Sequence, residues 1–292
     1  MNWRSIQLTY ELRSPLHIGY HKVGNMQRTR CYIPARNLWG AVTERLTRSG
    51  FTVPDAQKGD YRKIGGWLKK FVAFSYFYLY EGDKLLNPFY CEGGLRYGNK
   101  TTVEFERAYL DAHVTTALEP GPATAEMGSL HEVEYIAPYR TDEDDPGLRT
   151  LIQGLVFLGE TACSRLNGDT WGQLLSDLYV GGERRYGFGQ LRLKDLKEIN
   201  RLPDCLEEYE LKSEGQRPGF KITSGAALLA HTVTRDLDVK GAIEPLVGRK
   251  TATSTGFGRD LTKGQICWVP GSVLRERATF MINEDGCWEQ QS

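Results

Sequence analysis

The segment Gly181–Gly189 combines glycine, arginine and aromatic residues in a pattern that suits phosphate and base binding. It reads GGERRYGFG. Glycine permits positive φ angles and close approach of the backbone to a ligand, and the guanidinium groups of Arg184 and Arg185 neutralise phosphate. The rings of Tyr186 and Phe188 can stack on unpaired bases. Neither common nucleotide-binding fingerprint fits, so we expect a contact with single-stranded nucleic acid; the alternative is an ordinary glycine-rich turn.

A second basic and aromatic segment runs from Ser14 to Leu46, around an expected junction between a strand and a helix. Its basic and aromatic members are Lys22, Arg28, Arg30, Arg36, Tyr20, Tyr32 and Trp39. The N-terminus of a helix favours phosphate, although Trp39 is better explained as a packing residue of that helix. His21 has the chemistry of a general base for metal-independent RNA cleavage, while His17 and His21 are not expected to share a helix face and do not indicate zinc.

Composition and charge exclude several classes of protein. The 292 residues are 40% apolar, which excludes a disordered chain, and 37 basic residues balance 37 acidic ones, which argues against nucleic-acid binding by bulk charge. The first fifty residues nevertheless hold eight basic and two acidic residues, so a local basic groove is expected. The six cysteines lie far apart and predict free thiols. No apolar span or export signal is evident, so we expect a cytoplasmic protein without membrane contact.

The hydrophobic pattern predicts the elements that carry these segments. Alternation from Ile6 to Leu12 predicts a strand, and spacing of four predicts a helix over 35–48. A second helix is predicted over 148–166 from Leu148, Ile152, Leu155, Leu158 and Ala162. The remaining expectations are a loop or short hairpin at 20–31, a loop at 50–66, a β run at 67–80, strands at 107–118 and 128–137 around a turn at 120–122, a short helix near 170–178, a strand at 190–199, a linker at 200–218 and a final hairpin at 280–288.

This order predicts an α+β protein with a ferredoxin-like, or RRM-like, βαββαβ arrangement. We expect one such domain over residues 1–200, which ends after the glycine-rich loop. Residues 201–292 are expected to form a second, smaller β-rich unit that resembles a degenerate copy of the RRM-like fold.

Two motifs in the right order resemble the RAMP proteins, the repeat-associated subunits of CRISPR effector complexes. The first is Ser14-Pro-Leu-His-Ile-Gly19, followed after a loop by Tyr32-Ile-Pro-Ala-Arg-Asn-Leu-Trp-Gly-Ala41; the second is the loop Gly181–Gly189. The resemblance covers roughly residues 3–195. It implies an RNA-binding fold that recognises CRISPR guide RNA mostly through its backbone and its tag.

The resemblance is strongest to the branch that caps the 5′ tag of the guide, Cas family five. Backbone-forming subunits of Cas family seven usually carry a target-cleaving aspartate in the loop after the first strand, and residues 19–31 contain no acidic residue. The resemblance therefore implies a non-catalytic subunit without metal or other cofactor. Two alternatives stay open: a backbone-forming subunit, and a guide-processing endoribonuclease that uses His21.

The expected partners are guide RNA, other effector subunits and, indirectly, target RNA or DNA. The residues expected to contact RNA are His17, Gly19, Tyr20, His21, Lys22, Gln27, Arg28, Arg30, Arg36, Asn37, Arg184, Arg185, Tyr186, Gly187, Phe188, Gly189, Arg249 and Arg259.

Overall fold

The α+β class expected from the sequence is confirmed in a computed structural model of the chain. It describes residues 2–54, 57–116, 131–142, 146–166, 168–234, 237–252 and 256–291. The helices are α1 (Ala35–Arg48), α2 (Tyr61–Phe71), α3 (Thr102–Tyr109), α4 (Glu160–Arg165) and α5 (Gly168–Leu175). None of these helices combines the length and the apolar character needed to cross a lipid bilayer.

Strands make up most of the regular structure. In the N-terminal two thirds they are β1 (Trp3–Leu12), β2 (Gly19–Val23), β3 (Met26–Thr29), β4 (Tyr32–Ile33), β5 (Val72–Phe74), β6 (Phe77–Glu81), β7 (Lys84–Leu85), β8 (Pro88–Cys91), β9 (Gly94–Tyr97), β10 (Lys100–Thr101), β11 (Leu110–Thr115), β12 (His131–Ile136), β13 (Leu151–Gly159), β14 (Asp177–Tyr179) and β15 (Gln190–Ile199). In the C-terminal third they are β16 (Tyr209–Lys212), β17 (Gly219–Ile222), β18 (Thr232–Val233), β19 (Val239–Lys240), β20 (Ile243–Leu246), β21 (Arg249–Ala252), β22 (Gly256–Leu261), β23 (Gln265–Trp268), β24 (Val273–Leu274), β25 (Ala278–Ile282) and β26 (Trp288–Gln290).

The largest sheet has the order β14-β15-β1-β13-β6-β4, with β5 paired to β13 and β7 paired to β6. All of its pairings are antiparallel. Strand β1 lies near the middle, with Tyr10 opposite Ile152 of β13 and opposite Leu193 of β15. Because a central strand is covered on both faces, β1 is buried at more positions than its alternating sequence predicts.

A separate mixed sheet, ordered β11-β12-β3-β2, carries the hairpin that the sequence predicted within residues 20–31. Strands β2 and β3 are antiparallel and meet at Gly24, whose φ is +59°. Strand β3 then pairs in parallel with β12. Every residue of β2 is exposed, so this strand forms a free edge of the described sheet.

The C-terminal strands form a further sheet, ordered β16-β17-β25-β26-β18-β23-β20. The predicted final hairpin is confirmed as the antiparallel pair β25 and β26. This sheet packs on the first one: the ring centroids of Phe157 and Phe220 are 6.0 Å apart, and Phe220 in turn contacts Trp288. Buried apolar residues from both parts therefore form one continuous core.

The predicted helix at 148–166 is wrong for most of its length. Residues 151–159 form strand β13, and only Glu160–Arg165 are helical. The run LIQGLVFL is nearly continuous in apolar residues, and its buried residues include Ile152, Val156 and Phe157. A short apolar run that is buried on both faces has no periodicity that distinguishes a strand from a helix.

Other differences also have local causes. The expected loop at 50–66 contains the first turns of α2, whose N-terminus is capped by the side chain of Asp60; this helix extends into the β run expected from residue 67. Helix α3 occupies the start of the strand expected at 107–118 and is stabilised by a capping box of Thr101 and Glu104. The expected linker contains strand β16. The expected turn at 120–122 lies outside the described residues.

Candidate nucleic-acid interface

The glycine-rich loop connects β14 to β15 and has an unusual backbone. Gly181, Gly187 and Gly189 have φ angles of +86°, +82° and +86°, and Glu183 is also left-handed at +53°. A Cβ on Gly189 would lie 1.9 Å from the carbonyl oxygen of Val180, whereas one on Gly187 would meet open space. Gly189 is thus required by packing, and Gly187 by backbone conformation alone.

Several N–H groups of this loop are used inside the protein. The N–H of Gly182 donates to the carbonyl oxygen of His17 at 2.8 Å, and that of Gly189 donates to Pro15 at 2.7 Å. His17 itself is only 3% exposed, and its Nδ1 lies 2.7 Å from the carbonyl oxygen of Glu134. Gly19 approaches the same imidazole so closely that a Cβ would lie 2.7 Å from Nε2. His17 therefore supports the loop from beneath, and Gly19 lies against its imidazole ring.

The short 3-10 turn Arg184–Tyr186 presents its side chains outward. Arg184, Arg185 and Tyr186 are exposed, with Tyr186 at 65%. Phe188 is instead buried and packs edge-on against Tyr135, with ring centroids 5.5 Å apart. The loop thus offers two guanidinium groups and one phenol ring to solvent, while its second aromatic ring fixes its position.

An open groove of about 630 Å³ lies between this loop and helix α1. The groove is lined by Arg36, Asn37, Gly40, Ala41, Glu44, Thr47, Arg48, Gly59, Tyr61, Tyr179, Gly181 and Arg184. Residues 36, 40, 44 and 48 follow one another at intervals of four, so they share one face of α1. This volume lies within the range of small-ligand sites, and the lining is rich in arginine and tyrosine.

Glu44 is an acidic residue within this basic groove. Its Oε2 lies 2.5 Å from a guanidinium nitrogen of Arg184, and its Oε1 lies 2.9 Å from one of Arg48. The guanidinium of Arg184 also lies 5.8 Å from the ring centroid of Tyr179. One carboxylate therefore bridges the helix and the loop across the groove.

Arg36 marks the end of the groove nearest the C-terminal sheet. It forms an ion pair with Asp285 at 3.2 Å and donates to the carbonyl oxygen of Arg249 at 2.9 Å. Asp285 also accepts from Lys69 at 2.6 Å. The structure thus brings Arg36, Asn37 and the backbone of Arg249 to one end of the groove. Arg259 belongs to β22, and its side chain is outside the described part of the structure.

The predicted residues of the β2–β3 hairpin divide into exposed and internally paired groups. Tyr20, His21 and Lys22 are exposed, and Gln27 is half-buried. Arg28 forms ion pairs with Glu134 at 3.1 Å and Glu106 at 3.6 Å.

Arg30 is held by the C-terminal sheet. It is an ion-pair partner of Glu244 at 2.7 Å and donates to the hydroxyl of Tyr32 at 2.9 Å. Its guanidinium also lies 4.7 Å from the ring centroid of Tyr20. In contrast to Arg28, Arg30 and Arg184, the side chains of Lys22 and Arg185 form no ion pair with a carboxylate among the residues that the structure describes.

A buried chain of hydrogen bonds continues from Arg30 into the core. Glu244 contacts Nε2 of His231 at 2.5 Å, and Nδ1 of His231 lies 2.7 Å from the hydroxyl of Tyr76. Burial lowers the pKa of His231. Burial would raise the pKa of Glu244, but the hydrogen bond from His231 and the charge of Arg30 lower it. This chain fixes Arg30, and with it the base of the exposed hairpin.

The sequence did not identify Glu44, Arg48, Tyr61 or Tyr179 as groove residues. The spacing of Arg36, Glu44 and Arg48 at multiples of four residues was the signal that could have found the helical members. Tyr61 on α2 and Tyr179 on β14 lie outside α1 in the sequence, so only the tertiary structure shows that they line the groove. Within the described ranges, no group of three or more His, Cys, Asp or Glu side chains is placed to hold a metal ion. The arginines that line the groove can bind anions, and tyrosine rings lie beside them.

Comparisons with known proteins identify the fold. No protein-family model matches the sequence, and no curated protein sequence matches it. A chain in a cryo-EM structure of the type III-B Cmr-beta bound to cognate target RNA and AMPPnP aligns with a TM-score of 0.55 and 12% identity, over 92% of this chain and 85% of that chain. A chain of the Cmr-beta bound to cognate target RNA aligns with a TM-score of 0.52 and 10% identity, over 92% of this chain and 86% of that chain. At such low identity the likeness shows a shared fold.

Proposed function

We propose that this chain is a non-catalytic RNA-binding subunit of a type III CRISPR effector complex, and that it holds the 5′ tag of the guide RNA. The observation that carries the proposal is the groove between α1 and the glycine-rich loop, where Arg36, Arg48 and Arg184 converge. A shared fold with chains of RNA-bound Cmr-beta complexes supports the choice of complex.

We further propose that residues 1–200 form a ferredoxin-like domain and that residues 201–292 form a smaller β-rich unit. Four strands support this: β1, β6, β13 and β15 are separated in sequence by α1 and by α4 with α5. Their order across the sheet is β15-β1-β13-β6, which is the fourth, first, third and second of the set. All neighbours in this set are antiparallel. A split βαβ unit produces this arrangement.

RNA would follow the groove and reach the exposed hairpin. Arg184 and Arg185 would bind phosphates, and Tyr186 would stack on a base, because its side chain is 65% exposed. Lys22 and Tyr20 would extend the same contact. The buried positions of His17, Phe188 and Gly189 favour a supporting role for them.

A protein neighbour would cover the outer face of β20 and β23. Ile243 lies opposite Trp268 and Pro245 lies opposite Ile266, so all four share one face of the pair. Ile243 and Ile266 are 58% and 50% exposed. Ile243 and Ile266 are aliphatic and cannot stack on bases, and the ring of Trp268 on this face is partly buried. Lys240 and Lys263, which precede β20 and β23 in the sequence, are exposed. An apolar protein surface with carboxylates at its rim is the complementary partner.

The endoribonuclease alternative rests on His21, which is exposed on β2 beside the ring of Tyr20. Its opposite position on β3 is Arg28. Incubation of the purified protein with repeat RNA in EDTA tests this function. Cleavage by the wild-type protein that disappears in His21→Ala would show an endoribonuclease and contradict the non-catalytic proposal. RNA that stays intact with the wild-type protein supports the non-catalytic proposal.

Co-expression with a guide RNA and the other effector subunits tests the proposal as a whole. Size-exclusion chromatography should show this chain with both RNA and protein neighbours. A stable monomer free of RNA under those conditions would contradict it. The backbone-forming alternative predicts several copies of the chain in each complex, whereas tag binding predicts one, and native mass spectrometry counts them.

A further inference from the structure

We propose that Glu44 occupies the place of an RNA phosphate beside Arg184 in the groove, and that RNA binding displaces it from Arg184. This inference rests on the proposed RNA-binding function and adds a regulator of affinity to it. Glu44 bridges Arg184 at 2.5 Å and Arg48 at 2.9 Å. Two guanidinium groups on one carboxylate reproduce the arrangement in which arginines bind a phosphate.

The connection between the two arginines depends on tertiary structure. Arg48 and Glu44 are one turn apart on α1, whereas Arg184 comes from a loop 140 residues later in the chain. The side chain of Glu44 is 25% exposed and that of Arg184 is 40% exposed, so the pair is at the wall of an open groove. A ligand can therefore reach the pair without opening the core.

The physical consequence is a competition between two anions for one cation. A phosphate that approaches Arg184 gains a charge-assisted hydrogen bond only as the protein loses the one to Glu44. Glu44 also repels the phosphate while it remains beside the groove. The affinity for RNA is thereby lower than the number of arginines in the groove predicts. A single free phosphate is also a weaker ligand than an RNA strand whose other phosphates contact Arg36 or Arg185.

Glu44→Gln tests this inference because it removes the charge and keeps the shape. We expect the affinity for a fluorescein-labelled single-stranded RNA of mixed sequence to rise by about threefold to fivefold at low salt, the range of an exposed ion pair. The slope of log K against log salt should steepen, since Arg184 then neutralises a phosphate without losing a partner. Glu198→Gln is the matched control, because Glu198 pairs with Arg4 at the end of β15 far from the loop.

A double-mutant cycle separates displacement from a general charge effect. Arg184→Ala should weaken binding more in the Glu44→Gln background than in the wild-type protein, because Arg184 is free of its competitor only in that background. Weaker or unchanged binding by Glu44→Gln would overturn the inference. The inference would also be overturned if Glu198→Gln raised the RNA affinity as much as Glu44→Gln does. The same holds if Glu44→Gln raised the RNA affinity by the same factor in the Arg184→Ala background as in the wild-type protein.

The same titrations test the role of Glu44 separately from RNA binding by the groove. Equal affinity of the wild-type protein and Glu44→Gln contradicts the role of Glu44 and leaves RNA binding by the groove intact. No measurable RNA binding by either protein contradicts the proposed function and the inference together.

Discussion

The hydroxyl of Tyr76 and Nδ1 of His231 lie 2.7 Å apart, and this contact joins the first sheet to the C-terminal sheet. The other ring nitrogen of His231 faces the carboxylate of Glu244. A carboxylate only accepts, so Nε2 carries the proton and Nδ1 accepts from Tyr76. Neutral His231 therefore satisfies both neighbours while it is fully buried.

The buried state of His231 predicts a loss of stability in mild acid. Its pKa in the folded protein is below the 6.5 of an ordinary histidine because burial disfavours the charged form. The unfolded chain then binds this proton more readily, so the stabilisation is present above about pH 6.5 and declines as the pH falls below it. Glu244, whose pKa is also lowered, loses its contribution only in stronger acid, below its ordinary value of 4.5.

Urea unfolding at pH 7.5 and 5.5 measures this effect. The wild-type protein should lose more stability between the two values than His231→Gln, which keeps polar groups at the position but does not titrate. An identical pH dependence of the two proteins would show that His231 is not responsible.

Gly187 and Gly189 of the glycine-rich loop should respond differently to substitution by alanine. Gly189→Ala places a Cβ against the backbone of Val180 and should destabilise the protein by about 3 kcal/mol. Gly187→Ala meets no neighbour, so only its positive φ opposes it, at about 1 kcal/mol. Chemical unfolding of both variants measures the difference. Equal losses would contradict the packing role of Gly189.

The basic residues of the hairpin should separate into stabilising and RNA-binding groups. Arg28→Ala leaves the nearly buried carboxylate of Glu134 without this ion pair, and we expect a loss of about 1–3 kcal/mol in stability. Lys22→Ala should leave stability within about 0.5 kcal/mol and lower the affinity for RNA. Unfolding and RNA titration of both variants provide the check. Unchanged RNA affinity of Lys22→Ala would remove the hairpin from the proposed interface.

The exposed face of β20 and β23 should matter for assembly and not for folding. Ile243→Asp adds a charge to a side chain that is 58% exposed, so stability should change little, but the chain should be lost from the purified complex. Val103→Asp is the matched control, because Val103 is exposed to 73% on α3. Retention of Ile243→Asp at the wild-type level would place the protein contact elsewhere.

The sequence predicted elements with clear periodicity and missed those set by tertiary structure. Helix α1 and strand β1 were found because their apolar residues recur at intervals of four and two. Strand β13 was mistaken for a helix because it is buried on both faces. The glycine-rich loop was recognised from composition, but its contact with Glu44 joins residues 140 positions apart. The His231–Glu244 pair was likewise invisible, since only strand pairing brings it together.

Fluorescence anisotropy of Arg184→Ala/Arg185→Ala with 5′-tag RNA, titrated over a range of salt, tests the RNA-binding role most directly. Because phosphate contacts carry little sequence information, affinity should fall almost equally for the matched tag and a scrambled one. The salt slope should fall by about one unit for the loss of Arg185 and by less for the loss of Arg184, because Arg184 binds a phosphate only as it gives up its ion pair with Glu44. Arg192→Ala, which removes an exposed arginine outside the groove on β15, is the control and should bind as the wild-type protein does. Unchanged affinity and unchanged slope in the double variant would contradict RNA binding by this loop.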